Sequence, residues 1–156
     1  MTIEELLARE SIRQTLVGYT MSGDRLRVDD FVAVFTEDAV LETERVPESD
    51  AFRYEGREAI RAWMSRWMSA DGARTAHQAT FIRHHLSTSQ IDLTGPDTAT
   101  ARTYWTAYTD IGPDHCGYYL DVLRRSDGRW LLAHRKVRLD WRSPQSLFTT
   151  VIAKTR

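Results

Sequence analysis

The feature that most constrains the fold is a change in the spacing of apolar residues at Asp71-Gly72. Before this dipeptide the apolar residues recur with the period of an α-helix, and after it they alternate with the period of a β-strand. Helices followed by a run of strands are typical of an α+β domain rather than of repeated βαβ units. The chain has no internal repeat or linker-like tract, and its 156 residues are most simply one domain, residues 1–156.

Helical spacing predicts three helices before the dipeptide. The first begins with a capping box formed by Thr2 and Glu5 and ends at Gly23, because a helix end often requires a residue at positive φ. The third has one continuous apolar side. The predicted bounds are residues 3–21, 28–35 and 57–69 for the helices, 38–44 and 52–55 for two short strands, and 47–50 for a polar turn.

Four longer strands are predicted after the dipeptide, at residues 79–93, 98–110, 116–125 and 129–141, with turns at 94–97, 112–114 and 126–128. Long antiparallel strands joined by short turns twist and curl. We therefore expect a cone-shaped α+β barrel, in which three N-terminal helices pack on a strongly curved antiparallel sheet around an apolar cavity. The tail, residues 143–156, is expected to cover the cavity or a subunit interface.

The balance of charge gives no reason to expect nucleic acid or an anionic membrane as a partner. The chain has 21 Lys and Arg against 22 Asp and Glu, a formal charge of −1. Its single cysteine, Cys116, cannot form an intramolecular disulfide, so a reducing, cytoplasmic setting is expected. The acidic, amphipathic N-terminus is unlike a signal peptide, and no apolar run is long enough for a transmembrane helix.

Asp24 and His84 are the residues that most directly suggest chemistry. Asp24 follows the first helix, and His84 opens the first long strand. A carboxylate that orients an imidazole makes a general base that works near neutral pH. Taken alone, such an aspartate is more often a helix or turn cap, and such a histidine more often a core or edge residue with a satisfied hydrogen bond.

The order of several short segments resembles the nuclear-transport-factor-2-like superfamily, in its SnoaL-like branch. These segments are the end of the first helix with Tyr19 and Gly23-Asp24, then residues 29–39, 54–60, 84–85, 97–102 and 127–130. The resemblance implies a cone-shaped α+β fold without a bound cofactor, commonly paired as a dimer or trimer. The superfamily includes dehydratases, isomerases, polyketide cyclases, dehydrochlorinases, dioxygenase small subunits and non-catalytic binding proteins, so the fold does not fix the function.

Within this superfamily the chain is most similar to dehydratases of the scytalone and bile-acid 7α types, and to a hexachlorocyclohexane dehydrochlorinase. By that resemblance Asp24 and His84 correspond to the catalytic aspartate and histidine. Tyr19 corresponds to a tyrosine of the bile-acid type and Arg138 to its pocket arginine. The chain departs from these relatives at Trp105, where the scytalone type has a second catalytic histidine, and near Ala107, where the bile-acid type has an aspartate.

Further residues are candidates for lining the cavity. They are His85, which would replace His84 if a bulge shifted the strand by one residue, together with Trp105, Trp63 and Trp67. His77, His115 and His134 are scattered without grouped carboxylates, so no metal site is expected. Cys116 is expected to be inert.

Two hypotheses follow for the function. The first is a cofactor-independent lyase or isomerase that removes an acidic C–H proton from a small hydrophobic or polycyclic substrate, with Asp24, His84 and Tyr19 as the catalytic residues. The second is a non-catalytic binding or accessory subunit, which would leave Asp24 exposed or turn His84 away from the cavity. Epoxide hydrolysis by an Asp–Arg–Asp arrangement matches poorly, with Asp121 and Asp140 around Arg138.

Overall fold

A computed structural model describes residues 1–44, 51–67 and 79–148 of the chain. The helices are α1 (Ile3–Asp24), α2 (Val28–Val32) and α3 (Arg57–Ser65). The strands are β1 (Phe35–Thr43), β2 (Arg53–Glu55), β3 (Arg83–Leu93), β4 (Thr98–Thr109), β5 (Gly112–Ser126) and β6 (Arg129–Arg142). The predicted turn at residues 47–50, the end of the third helix, Asp71-Gly72 and residues 149–156 of the tail lie outside the described part.

The six strands form one sheet in the order β2-β1-β6-β5-β4-β3. The three helices pack on it, which confirms the predicted α+β architecture. Two details differ from the expectation. The sheet is open rather than closed into a barrel, and β1 pairs with β6 in parallel while the other neighbours are antiparallel. Register shifts in four of the ladders bend the long strands, because a bulge increases the local twist.

Helix α1 begins as predicted and ends later than predicted. Thr2 and Glu5 form the reciprocal capping box. The helix continues through Gly23 to Asp24, and the residue at positive φ is Leu26. A Cβ on Gly23 would lie 3.3 Å from the ring of Phe31, so this glycine allows α2 to pack closely against α1. The prediction that Gly23 ends the helix was therefore wrong.

Two other boundaries moved because buried residues joined the sheet. The second helix ends at Val32 rather than residue 35, and Phe35 begins β1 with no exposed surface. Residues 112–114, predicted as a turn, belong to β5. The main core lies between the helices and the sheet and includes Phe31, Leu41 and Ile60.

No helix in the described part of the chain is long and apolar enough to cross a membrane.

Gly117→Ala is expected to destabilise the fold by about 1–3 kcal/mol. Gly117 faces a register shift between β5 and β6, and a Cβ there would lie 1.9 Å from the carbonyl oxygen of Arg138. Because this neighbour is backbone, the strand itself must move. Urea unfolding measures the loss, with Gly18→Ala as a control, because a Cβ on Gly18 would meet only a side-chain atom, Cγ1 of Val34, at 3.2 Å. Equal losses in the two variants would contradict the steric explanation.

Candidate functional site

A cavity of about 180 Å³ lies between the helices and the concave face of the sheet. Apolar side chains make most of its wall, including Phe31, Met64 and Ile82. Trp63 and Trp67, predicted from the sequence to line such a cavity, both do so. The polar side chains of the lining include Asp24, His84, His115, Trp105, Tyr19 and Tyr119.

The structure brings Asp24 and His84 together across 60 positions of the sequence. Asp24 is the last residue of α1 and is 7 % exposed, and His84 is the second residue of β3. Oδ1 of Asp24 lies 2.6 Å from Nδ1 of His84, and Oδ2 accepts the backbone N–H of His84 at 2.8 Å. One carboxylate thus holds both the ring and the peptide of this histidine.

This geometry determines which nitrogen of His84 is available for chemistry. A carboxylate accepts hydrogen bonds, so Nδ1 carries the proton that is shared with Asp24. In the neutral imidazole Nε2 is then the unprotonated nitrogen. His84 lines the cavity, and its side chain is 23 % exposed. The arrangement can abstract a proton from a bound molecule and return it.

Tyr19 lines the cavity five residues before Asp24, and its ring packs against Tyr119 at 5.6 Å between centroids. The guanidinium of Arg135 packs over both rings, 4.0 Å from the Tyr19 centroid and 4.1 Å from that of Tyr119. Burial raises the pKa of both phenols, although the nearby Arg135 charge acts against it. Both tyrosines therefore stay protonated near neutral pH and can donate a hydrogen bond.

Two of the predicted pocket residues lie outside the cavity. His85 is exposed and packs on Tyr108, because neighbours along a strand point to opposite faces. Arg138 lies away from the cavity with Asp140, 3.1 Å from its carboxylate. The arginine beneath the cavity wall is Arg135, three residues earlier. Neither His85 nor Arg138 therefore lines the cavity, whereas Trp105, also a candidate from the sequence, does.

His115 is a cavity residue that sequence reasoning missed. Its Nδ1 lies 2.7 Å from Oδ1 of Asp114, which is fully buried. Burial lowers the pKa of His115 to about 4, against the opposing effect of Asp114. Burial alone would raise the pKa of Asp114, but hydrogen bonds from Ser146, Leu147 and His115 lower it below its usual value. The site therefore holds a second aspartate–histidine pair, with a neutral imidazole at physiological pH.

The low pKa of His115 is expected to make stability depend on pH. An unfolded histidine has a pKa of about 6.5, so between pH 6.5 and 4 the unfolded chain binds a proton that the folded chain does not. The stabilisation is complete above pH 6.5 and is lost as the pH falls towards 4, by on the order of 3 kcal/mol. The positive charges of Arg142 and protonated His84 act in the same direction.

Urea unfolding of the wild type and of His115→Asn between pH 7 and 4 measures this dependence. The variant is expected to lose less stability over the range, because asparagine does not titrate. Parallel slopes for the two proteins would assign the pH dependence to other groups.

The remaining histidines and the cysteine form no comparable site among the described residues. In the described ranges no group of three His, Cys, Asp or Glu side chains could hold a metal ion. His134 pairs with Glu42 at 2.7 Å, on a side of β6 away from the cavity, and His77 lies outside the described residues. Burial raises the pKa of the Cys116 thiol, which agrees with an inert cysteine.

Comparison with known proteins identifies a family and several similar folds. A family model described as a SnoaL-like domain matches residues 4–136. No curated protein matches the chain. A scytalone dehydratase-like protein from Novosphingobium aromaticivorans is 22 % identical, with a TM-score of 0.73 over 92 % of this chain and 91 % of that chain.

Two further structures have the same fold with different assignments. A type 2 hexachlorocyclohexane dehydrochlorinase is 13 % identical, with a TM-score of 0.71 over 92 % of this chain and 93 % of that one. A beta subunit assigned to an aromatic-ring-hydroxylating dioxygenase of N. aromaticivorans is 17 % identical, with a TM-score of 0.72 over 96 % and 97 %. At these identities the likeness extends to the fold alone.

Proposed function

Since this chain belongs to the SnoaL-like domain family, we propose that it is a cofactor-independent lyase or isomerase. Asp24 and His84 form its general base, in an apolar cavity that receives a small cyclic substrate. The observation that carries the proposal is the double hydrogen bond of one buried carboxylate to the ring and peptide of a cavity histidine. The family and its dehydratase-like and dehydrochlorinase neighbours support the reaction class.

The proposed reaction begins with proton abstraction from carbon. Nε2 of His84 removes a C–H proton that a neighbouring carbonyl or similar group has made acidic, and Asp24 stabilises the imidazolium that forms. Tyr19, protonated near neutral pH, donates a hydrogen bond to the substrate oxygen on which negative charge develops. The imidazolium then returns its proton to a leaving oxygen or to another carbon, which gives elimination or isomerisation.

The size of the cavity suits a small substrate. An apolar cavity of about 150 Å³ holds a benzene molecule, and this cavity is about 180 Å³. A substrate with one or two rings therefore fits inside the described part of the cavity. The flat side chains of Trp63 and Trp67 suit the faces of such rings.

Deuterium exchange tests the base without knowledge of the natural substrate. One- and two-ring ketones such as 1-tetralone are incubated with the protein in D₂O, and loss of the hydrogens next to the carbonyl is followed by NMR. The wild type is expected to exceed His84→Gln by about 10²–10⁴ in rate, the usual contribution of a positioned base. His85→Gln is the matched control, because this neighbouring histidine faces away from the cavity, and it is expected to retain the wild-type rate. Equal rates for the wild type and His84→Gln across the panel would reject the proposal.

The accessory-subunit hypothesis draws support from the dioxygenase beta subunit among the similar folds. It expects an exposed Asp24 or a His84 that faces away from the cavity. Neither expectation matches the buried Asp24 and the cavity-lining His84. These two observations favour the enzyme.

A further inference from the structure

Three nitrogen-bearing rings meet at one part of the cavity wall. The centroids of His84, His115 and Trp105 form a triangle with sides of 5.6 Å, 5.7 Å and 6.1 Å. Hydrogen bonds of about 2.8 Å place two nitrogen atoms roughly 4.6 Å apart when both bond to one hydroxyl oxygen at a tetrahedral angle. The centroid separations are about 1 Å longer than this span, and ring nitrogens lie away from their centroids, so nitrogens on the facing edges can reach one small polar group.

Trp105 brings a donor that the described residues leave unused. Its side chain is buried, with 4 % exposure, and lines the cavity. Nε1 has no hydrogen-bond partner among the described residues. A buried N–H without a partner costs about 1–3 kcal/mol. A bound molecule that supplies an acceptor would recover this free energy and so bind more tightly.

His115 brings the complementary acceptor. Nδ1 is occupied by Asp114, whose carboxylate accepts only, so the ring proton lies on Nδ1 and Nε2 carries a lone pair. The low pKa of His115 keeps this ring neutral over the range in which His84 would act. The pair thus offers one N–H donor and one nitrogen acceptor from neighbouring strands.

We propose that Trp105 and His115 form a subsite for a hydroxyl group, and that the substrate is a cyclic alcohol whose hydroxyl lies next to the carbon that His84 deprotonates. A hydroxyl accepts from Nε1 of Trp105 and donates to Nε2 of His115. A carbonyl or ether oxygen satisfies only the donor, and a hydrocarbon satisfies neither.

The subsite also defines the leaving group, a consequence that rests on the proposed function. His84 takes the proton from carbon, the C–H electron pair forms the double bond, and the C–O bond breaks. The proton on Nε2 of His84 then passes to the departing oxygen, which leaves as water and returns His84 to its neutral form. His115 holds the second hydrogen of that water throughout.

The subsite is tested by binding, with 2-tetralol and tetralin as probes that share one bicyclic skeleton. Dissociation constants are measured for the wild type, Trp105→Phe and His115→Phe. Each variant is expected to bind 2-tetralol about 2–10-fold more weakly, the range for one lost hydrogen bond, while its affinity for tetralin changes less than twofold. Equal losses for both probes, or no loss for either, would overturn the subsite.

A wild-type measurement keeps the test independent of whether a variant folds. In ¹⁵N NMR spectra, 2-tetralol is expected to shift the indole Nε1–H signal of Trp105 and the Nε2 signal of His115, and tetralin is expected to leave both near their free positions. Similar shifts with the two probes would contradict a hydroxyl-specific contact. Binding needs no proton transfer, so its outcome is separate from the deuterium exchange that depends on His84. If the protein prefers 2-tetralol but catalyses no exchange, the subsite is supported and the lyase proposal is rejected. If it catalyses exchange without a hydroxyl preference, the lyase proposal is supported and the subsite is rejected.

Discussion

Asp24→Asn is expected to reduce the rate of the cavity reaction by about 10²–10⁴, as much as removing the base itself. The reason is the geometry of the two hydrogen bonds. The backbone N–H of His84 is always a donor, so it requires the amide oxygen of the asparagine. The amide NH₂ then faces Nδ1 of His84 and donates to it. The ring proton is displaced to Nε2, which can no longer accept a proton from the substrate.

The measurement is the deuterium-exchange rate of Asp24→Asn, or its kcat once a substrate is known. Glu42→Gln is the matched control, since Glu42 pairs with His134 in a similar carboxylate–imidazole contact outside the cavity. It is expected to leave the rate unchanged. A folded Asp24→Asn protein within tenfold of the wild-type rate would show that the carboxylate does not orient the base.

The sequence predicted the fold well because its two periodicities are local properties. Helix and strand types were correct, and most errors lay at boundaries where a buried side chain such as Phe35 joined the sheet. The parallel pairing of β1 with β6 depends on contacts between residues 94 to 97 positions apart, which local spacing does not reveal. The spacing of residues likewise does not reveal that Asp24 contacts His84, and that prediction depended on the family resemblance.

The missed residues of the site have two physical causes, an irregular strand register for His115 and the rarity of a buried arginine for Arg135. Asp114 is an extra residue in β5, because Ala107 and Tyr108 of β4 pair with His115 and Pro113. This bulge brings Asp114 beside the ring of its own neighbour His115, a contact that a flat strand does not offer. The charged sequence of β6 is typical of a solvent-exposed strand. A fully buried arginine is rare, so the sequence favoured Arg138 over Arg135 as the pocket arginine.

Arg135→Met is expected to be the most destabilising of these substitutions, at about 3–5 kcal/mol. Nε and Nη2 of Arg135 donate to the two carboxylate oxygens of Asp121 at 2.7 and 2.8 Å, and neither side chain has exposed surface. Methionine replaces much of the volume but leaves the Asp121 carboxylate buried without its counter-charge. The raised pKa of Arg135, which burial alone would lower, has the Asp121 charge as its cause.

The double variant Arg135→Met/Asp121→Leu separates the loss of the ion pair from the loss of packing. Removing both charges ends the cost of an unpaired carboxylate, so the double variant is expected to be more stable than Arg135→Met in urea unfolding. It still loses the guanidinium that packs over Tyr19 and Tyr119, so both tyrosine rings are expected to become less ordered at the cavity wall. If the two variants unfold at the same urea concentration, the stability resides in the stacking of the arginine rather than in its charge. Arg135 thus joins the sheet to the cavity wall, because the same side chain bonds the Asp121 carboxylate and packs over the Tyr19 ring.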